Sequence, residues 1–145
     1  KSEKSGDVPV LRMGNLQKGE IDWSSLKYSS CEEEISKYVG GSHVAVVNSG
    51  TSAIHLSLVL LNISQGDFVF CQSFTFIASV NPILYQAAIP VFIDSEYDTW
   101  NMCPVSLRKA IEDRLKKGKK PKAIIVVHLY GMPAKMKEIR EIAKG

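Results

Sequence analysis

The sequence predicts an α/β fold, with a mostly parallel sheet between two helix layers in a three-layer α/β/α arrangement. Three observations lead there. Beyond about residue 33 the hydrophobic pattern alternates between short β-branched runs and longer stretches of helical period. The strand–helix pair recurs four times, and such alternation closes through right-handed crossovers into parallel neighbours. Runs such as AIIVV, residues 123–127, are apolar at every position, which suits strands covered on both faces.

Each element has a local reason. Residues 8–13, then 15–21, read as a short strand, a glycine-containing turn and another strand, so residues 1–31 form an N-terminal extension with a β-hairpin. Residues 32–145 form the α/β part, and Glu32, Glu33 and Glu34 read as the acidic first turn of a helix. A first strand is expected near 43–48, followed by a turn through Asn48–Ser52 and a helix over 53–61. That helix is apolar nearly all round, as if covered on both sides. Gly66 and Asp67 turn the chain into a second strand, 68–72. Residues 74–86 read as a helix that Pro82 kinks or shortens. A third strand (IPVFID) covers 89–94. Pro104 suits a first helical turn, Leu107, Ile111 and Leu115 form a stripe, and Gly118 and Pro121 close that helix. A fourth strand is expected at 123–129 and a last helix at 133–144.

Composition narrows the function classes. The chain has 145 residues, 45% of them hydrophobic and 23% charged, as in ordinary soluble globular domains. A net charge of +3 is too mild to argue for nucleic acid. The three cysteines, Cys31, Cys71 and Cys103, are odd in number and widely spaced, which argues against a disulfide framework and fits a reducing, cytoplasmic setting. No apolar run is long enough to span a bilayer, and no signal peptide opens the chain. The chain starts on Lys1 rather than Met, which is read as tagging, processing or truncation.

The segment VAVVNSGTSAIHL, residues 44–56, carries the first chemical signal. A strand delivers the chain to a Ser/Gly/Thr/Ser turn and a helix starts at once, so free N–H groups and the positive end of the helix dipole gather there. Gly50 permits close backbone approach, and Thr51 and Ser52 add hydroxyls. This is a phosphate cup or, equally simply, a helix cap made by Ser49 or Thr51. It is neither a Walker loop nor a dinucleotide fingerprint, because neither glycine pattern is present. The second signal is SFTFIAS, residues 73–79, leaving the second strand where open α/β sheets place ligands. An aromatic there can stack on a planar ring. One of Phe74 and Phe76 is expected in the core, since alternate residues leaving a strand face opposite ways.

Taken together, NSGTSAIHLSL, CQSFTFIASVNPILYQAAIPVFIDSE, WNM and VVHLYGMPAKMKEI resemble the pyridoxal-phosphate-dependent sugar aminotransferases of the DegT/DnrJ/StrS group, from about residue 32 to Gly145. The resemblance implies the large domain of an aspartate-aminotransferase-like, fold type I enzyme, with the second strand lying between the third and fourth. It implies that Gly50, Thr51 and Ser52 hold the cofactor phosphate and that Phe76 packs on its ring. It further implies transfer of an amino group, from glutamate, to a keto group of a nucleotide-linked sugar, by a cytoplasmic homodimer. In that family the pyridinium partner and the Schiff-base lysine follow the VHLYG strand. Asp94 and Asp98 come too early for the former, and no lysine here matches the latter. This chain alone is therefore expected to be inactive and to bind pyridoxal 5'-phosphate weakly or not at all.

Other features have plainer readings. His43, His55 and His128 share no metal spacing, so no metal site is expected. For His128 and Tyr130, at the end of the last strand, a structural role is favoured over a ligand contact. Trp100 and Asn101 are read as anchors of the loop before Pro104. The basic run from Arg114 to Lys122 lacks interleaved aromatics and reads as a solvated helix end. Residues 8–28 (VPVLRMGNLQKGEIDWSSLKY) resemble instead a segment of the DNA-specificity subunits of type I restriction enzymes. A rival reading follows, in which the chain is a non-catalytic fragment or fusion product with an N-terminal piece serving DNA or protein contacts. Exposed sheet edges predict self-association.

Overall fold

The structure is a computed structural model that describes residues 8–10, 16–17, 20–21, 27–29, 37–38, 40, 45 and 47–144. It divides into two compact units, Lys1–Val47 and Asn48–Gly145. In the first, β1 (Val8–Val10) pairs antiparallel with β4 (Lys27–Ser29), and β2 (Leu16–Gln17) pairs antiparallel with β3 (Glu20–Ile21). Half of the strand expected at 43–48 lies outside the described residues, and Ala45, Val47 and Asn48 there belong to no helix or strand. The acidic turn expected at Glu32–Glu34 also lies outside them, as does His43.

The second unit begins with α1 (Gly50–Leu60) and β5 (Phe68–Gln72). A 3-10 turn (Ile77–Ser79) leads into α2 (Asn81–Tyr85) and β6 (Ile89–Ile93). Then come α3 (Pro104–Lys116), β7 (Ala123–Ile125), a second 3-10 turn (Leu129–Gly131) and α4 (Met136–Lys144). The three strands form one parallel sheet in the order β6-β5-β7, with Phe70 opposite Val91 on one side and Ile124 on the other. The second expected strand therefore does lie between the third and fourth.

The period-2 alternation of β5 builds the layers. Val69 and Cys71 join a cluster with Leu58, Ile63, Val80 and Ile83, beneath α1 and α2. Phe70 joins the opposite cluster with Ile93, Met102, Leu107, Ile139 and Ile142, beneath α3 and α4. Val69, Phe70 and Cys71 are all fully buried, so the α/β/α sandwich hinges on this strand. Each such side chain contributes roughly 1.5–3 kcal/mol by leaving water. Burial also pushes the Cys71 thiol up to about 11.

Several boundaries differ from expectation, each for a physical reason. Helix α1 starts at Gly50 rather than residue 53, because Ser49 caps it. It is covered on one face only among the described residues: Leu58 is buried, while Val59, Leu60 and Leu61 are exposed. The helix expected over 74–86 begins as a loop, and Pro82 sits in the first turn of α2, where its missing N–H is no loss. Strand β7 stops at Ile125 instead of 129, since the N–H of Val127 goes to the Gln72 side chain at 3.3 Å rather than to a strand. The last helix starts at Met136 rather than 133.

Candidate functional site

A cleft of about 670 Å³ opens at the carboxyl ends of β5 and β7, against the start of α1. Three of the four residues read from the sequence meet there: Gly50, Thr51 and Phe76 all line it, together with Phe74, Leu129 and Tyr130.

The Ser/Gly/Thr/Ser turn forms a helix cap at the edge of the cleft. Ser49 caps α1 in extended geometry, its hydroxyl accepting the Ser52 N–H at 3.1 Å, while its carbonyl accepts the Ala53 N–H at 3.0 Å. The N–H groups of Gly50 and Thr51 have no acceptor inside the helix. Ser52 does not line the cleft. Its hydroxyl donates to Asn48 Oδ1 at 2.8 Å and lies 2.9 Å from Ser49 Oγ, so it builds the cap. A Cβ added at Gly50 would meet no heavy atom within 4 Å, and its φ is not positive. The backbone therefore does not demand glycine there. Its absent side chain leaves the cleft open beside the two N–H groups.

The expectation that one of Phe74 and Phe76 is core fails: Phe74 is 52% and Phe76 78% exposed. Strand β5 ends at Gln72, and the chain turns to start a 3-10 helix after Phe76, so strand alternation no longer applies. Thr75 Oγ1 and Ser79 Oγ, 3.1 Å apart, close that turn. Two buried amides brace the cleft. Gln72, 1% exposed, donates from Nε2 to the Phe74 carbonyl at 2.8 Å and accepts the Val127 N–H. Asn101, fully buried, accepts the Leu129 N–H at 2.8 Å and donates to the Met132 carbonyl at 2.9 Å. Asn101 is thus the loop anchor expected. Gln72 was not singled out, although a glutamine closing an apolar strand was the available signal.

His128 is structural: its Nδ1 accepts the Ala134 N–H at 3.0 Å. Tyr130 is not buried at all in the packing sense, with 96% of its surface exposed and its backbone left-handed at φ 52. Glu96 holds the neighbouring loop by accepting from the Thr99 hydroxyl and from Lys135 Nζ at 2.9 Å, and those two partners hold its carboxyl down at about 2. Asp98 also pairs with Lys135, at 2.7 Å, and the two carboxylates raise the lysine. Among the described residues no cluster of three or more His, Cys, Asp or Glu could hold a metal. The basic run is in part engaged: Arg114 lies 5.0 Å over the Phe68 ring and Lys122 pairs with Asp67 at 2.8 Å.

A model of the DegT/DnrJ/EryC1/StrS aminotransferase family matches residues 14–145. The chain belongs to this family. The family match takes in residues 14–28, most of the segment whose resemblance to restriction-specificity subunits was given above. The chain is similar to EpsN of Bacillus subtilis, at 58% identity over 111 residues, covering 77% of this chain and 29% of that protein. It is similar to GDP-perosamine synthase of Escherichia coli O157:H7, at 41% identity, covering 85% of this chain and 33% of that protein. Among solved structures it resembles a family aminotransferase from Brucella abortus, with 38% identity and a TM-score of 0.72, covering 78% of this chain and 31% of that one. The chain thus spans about a third of the length of the relatives it matches. Other solved structures of similar fold, 29% and 30% identical, are in PLP-bound and PMP-bound forms. The family is one of PLP-dependent aminotransferases. No described helix is long and apolar enough to cross a membrane.

Proposed function

We propose that the protein of which this chain spans a part transfers an amino group from glutamate to a keto group of a nucleotide-linked sugar, using pyridoxal 5'-phosphate. In that reading the N–H groups of Gly50 and Thr51 hold the cofactor phosphate, Ser52 keeps their helix capped, and Phe76 covers the ring. One observation carries it: the cleft brings the first turn of α1 and an exposed Phe76 together at the carboxyl ends of two parallel strands.

The donor set fits the group. Two outward N–H groups at a helix start favour an anion, and the open space at Gly50 admits it. An exposed phenyl ring beside them offers a face to a planar heterocycle. Bound there, the cofactor supplies the electron sink for carbanion chemistry, which no side chain can provide. The chain's own residues anchor, orient and shield. Among the described residues lining the cleft there is no lysine and no carboxylate, so none of these side chains forms an imine with the cofactor. Assembly as a homodimer in the cytoplasm belongs to the same reading; β6 and β7 are the outer strands of the sheet and offer edges to a second copy.

The test is a titration of the full chain with PLP, followed by absorbance and by mass after borohydride treatment. Reversible binding in the millimolar range is expected, and peptide mapping after reduction should find pyridoxyl groups only on exposed lysines away from the cleft. For the whole protein, glutamate should bleach the cofactor band and nucleotide-linked keto sugars should restore it. Failure of PLP to bind either form, or indifference of the bound band to glutamate, would refute the reading.

A further inference from the structure

A second cleft, about 380 Å³, adjoins the first and shares Phe74, Leu129 and Tyr130 with it. Its other walls include Trp100 and Asp98. Trp100 and Tyr130 have an unusual property in common. Both sit at left-handed backbone, φ 59 and φ 52, where bulky side chains are disfavoured. Neither recovers that cost through burial in this unit, being 57% and 96% exposed. Folding alone would favour glycine or asparagine at both places. Strain retained where packing does not require it marks a working surface.

The two aromatics are held by a stiff frame. Asn101 joins their loops, accepting from Leu129 N–H on one side and donating to Thr99 Oγ1 at 3.0 Å on the other. Lys135 pins the Trp100 loop through Glu96 and Asp98. Phe74 meets Trp100 edge-on, ring centroids 6.0 Å apart at 63°, and so steadies the indole from the side of the first cleft.

We propose that this second cleft seats the base of the nucleotide-linked sugar, stacked on Trp100 and Tyr130, with the sugar reaching toward the first cleft. The inference rests on the proposed function and names where the substrate's far end binds. A base is planar and stacks on aromatic faces, each worth roughly 5- to 150-fold in affinity. The Asp98 carboxylate at the rim can accept from a ring N–H of uracil, thymine or guanine. The substrate's diphosphate, which joins the ribose to the sugar, then passes over the wall of Phe74, Leu129 and Tyr130 that the two clefts share, a wall without a carboxylate. The cofactor itself is excluded from this cleft: its phosphate needs the α1 N–H groups, and Gly50 and Thr51 line only the first.

The full chain carrying Trp23→Phe, which leaves Trp100 as the sole tryptophan, is titrated with UDP, GDP and dTDP, with ribose 5-phosphate as the base-free control. At least one nucleotide should quench the emission saturably, and ribose 5-phosphate should not. Trp100→Gly and Tyr130→Gly, read by calorimetric competition, should lose at least 5-fold in nucleotide affinity without a lower Tm, since glycine relieves the left-handed backbone. PLP binding should survive Trp100→Gly. No quench by any nucleotide at about 10 mM, or unchanged affinity in both glycine variants, overturns the proposal. So does a Trp100→Gly chain that loses self-association and keeps nucleotide binding, which would assign the surface to a second copy. The two readings fail separately: nucleotide binding without PLP binding would sink the cofactor assignment and leave this cleft standing, and the converse would sink only this cleft.

Discussion

Replacing Gly50 by Val tests the anchor directly. The substitution adds three carbons at the first position of α1, where an added Cβ meets nothing within 4 Å and φ is not positive. Folding should hardly notice. Valine is somewhat better than glycine in a helix, and the difference is worth less than about 0.5 kcal/mol at a fraying first turn. The ligand should notice strongly. An oxyanion must come within about 3 Å of the Gly50 and Thr51 nitrogens, and since Gly50 lines the cleft, an isopropyl group there should compete with it for that space. Two hydrogen bonds to a charged group, at about 1.5–3 kcal/mol each, amount to a loss of at least 100-fold, enough to abolish millimolar binding. The assay compares PLP with pyridoxal, which lacks the phosphate, by absorbance titration, with Tm followed by calorimetry. The native chain should prefer PLP, whereas G50V should treat the two alike at unchanged Tm. An undiminished preference for PLP in G50V would mean that the turn only caps a helix, and the site assignment would fall.

Three further outcomes follow from the same structure. Ser49→Ala removes the hydroxyl that accepts the Ser52 N–H and should cost about 1 kcal/mol, seen as a lower urea midpoint at constant m-value. Asn101→Leu keeps the branched outline, adds bulk at a fully buried position and orphans the Leu129 N–H and the Met132 carbonyl; at about 1–3 kcal/mol for a lost partner, Tm should drop by several degrees and the Phe74–Trp100 near-ultraviolet signal should weaken. Glu96 has its folded pKa lowered from 4.5 to about 2, so its stabilisation is present above pH 4.5 and is lost as pH falls from there toward 2. Glu96→Gln should flatten the acid limb of the stability curve in that window, and an unchanged limb would show that the Thr99 and Lys135 contacts do not form in solution.

How legible the fold was depended on which forces set each element. Strand β5 was plain in the sequence because burial on two faces selects a continuous apolar run, β6 because a short apolar run is bounded by turn residues although Ile89 and Phe92 stay exposed, and α3 because Leu107 and Ile111 repeat on one face above a proline start. The end of β7 was not legible, since a side-chain amide 55 positions away in the chain takes the Val127 N–H. No local window reports that. The phenylalanines misled for the same reason: alternation holds only while the chain is a strand, and Gln72 ends it by bonding the Phe74 carbonyl. Of the site, the helix start and the exposed ring were visible as motifs. Ser52's part in the cap, and the left-handed Trp100 and Tyr130, depend on dihedral angles that residue identity alone does not announce.

The central place of β5 has a consequence for the order in which the unit assembles. Its pairing with β6 joins residues 21 apart in the chain, Phe68 with Ile89, while its pairing with β7 joins residues 54 apart, Val69 with Ala123. Closing the longer loop costs about 0.8 kcal/mol more in chain entropy, and that segment is also made later on the ribosome. The β5–α2–β6 unit is therefore the natural early partner, with β7 docking onto an edge already formed. Only then can Val127 reach Gln72, and only then does the Phe74 loop acquire its brace. The ligand pocket is in this sense a product of the final docking step, so an early-released chain would carry the nucleus of the fold without a cleft.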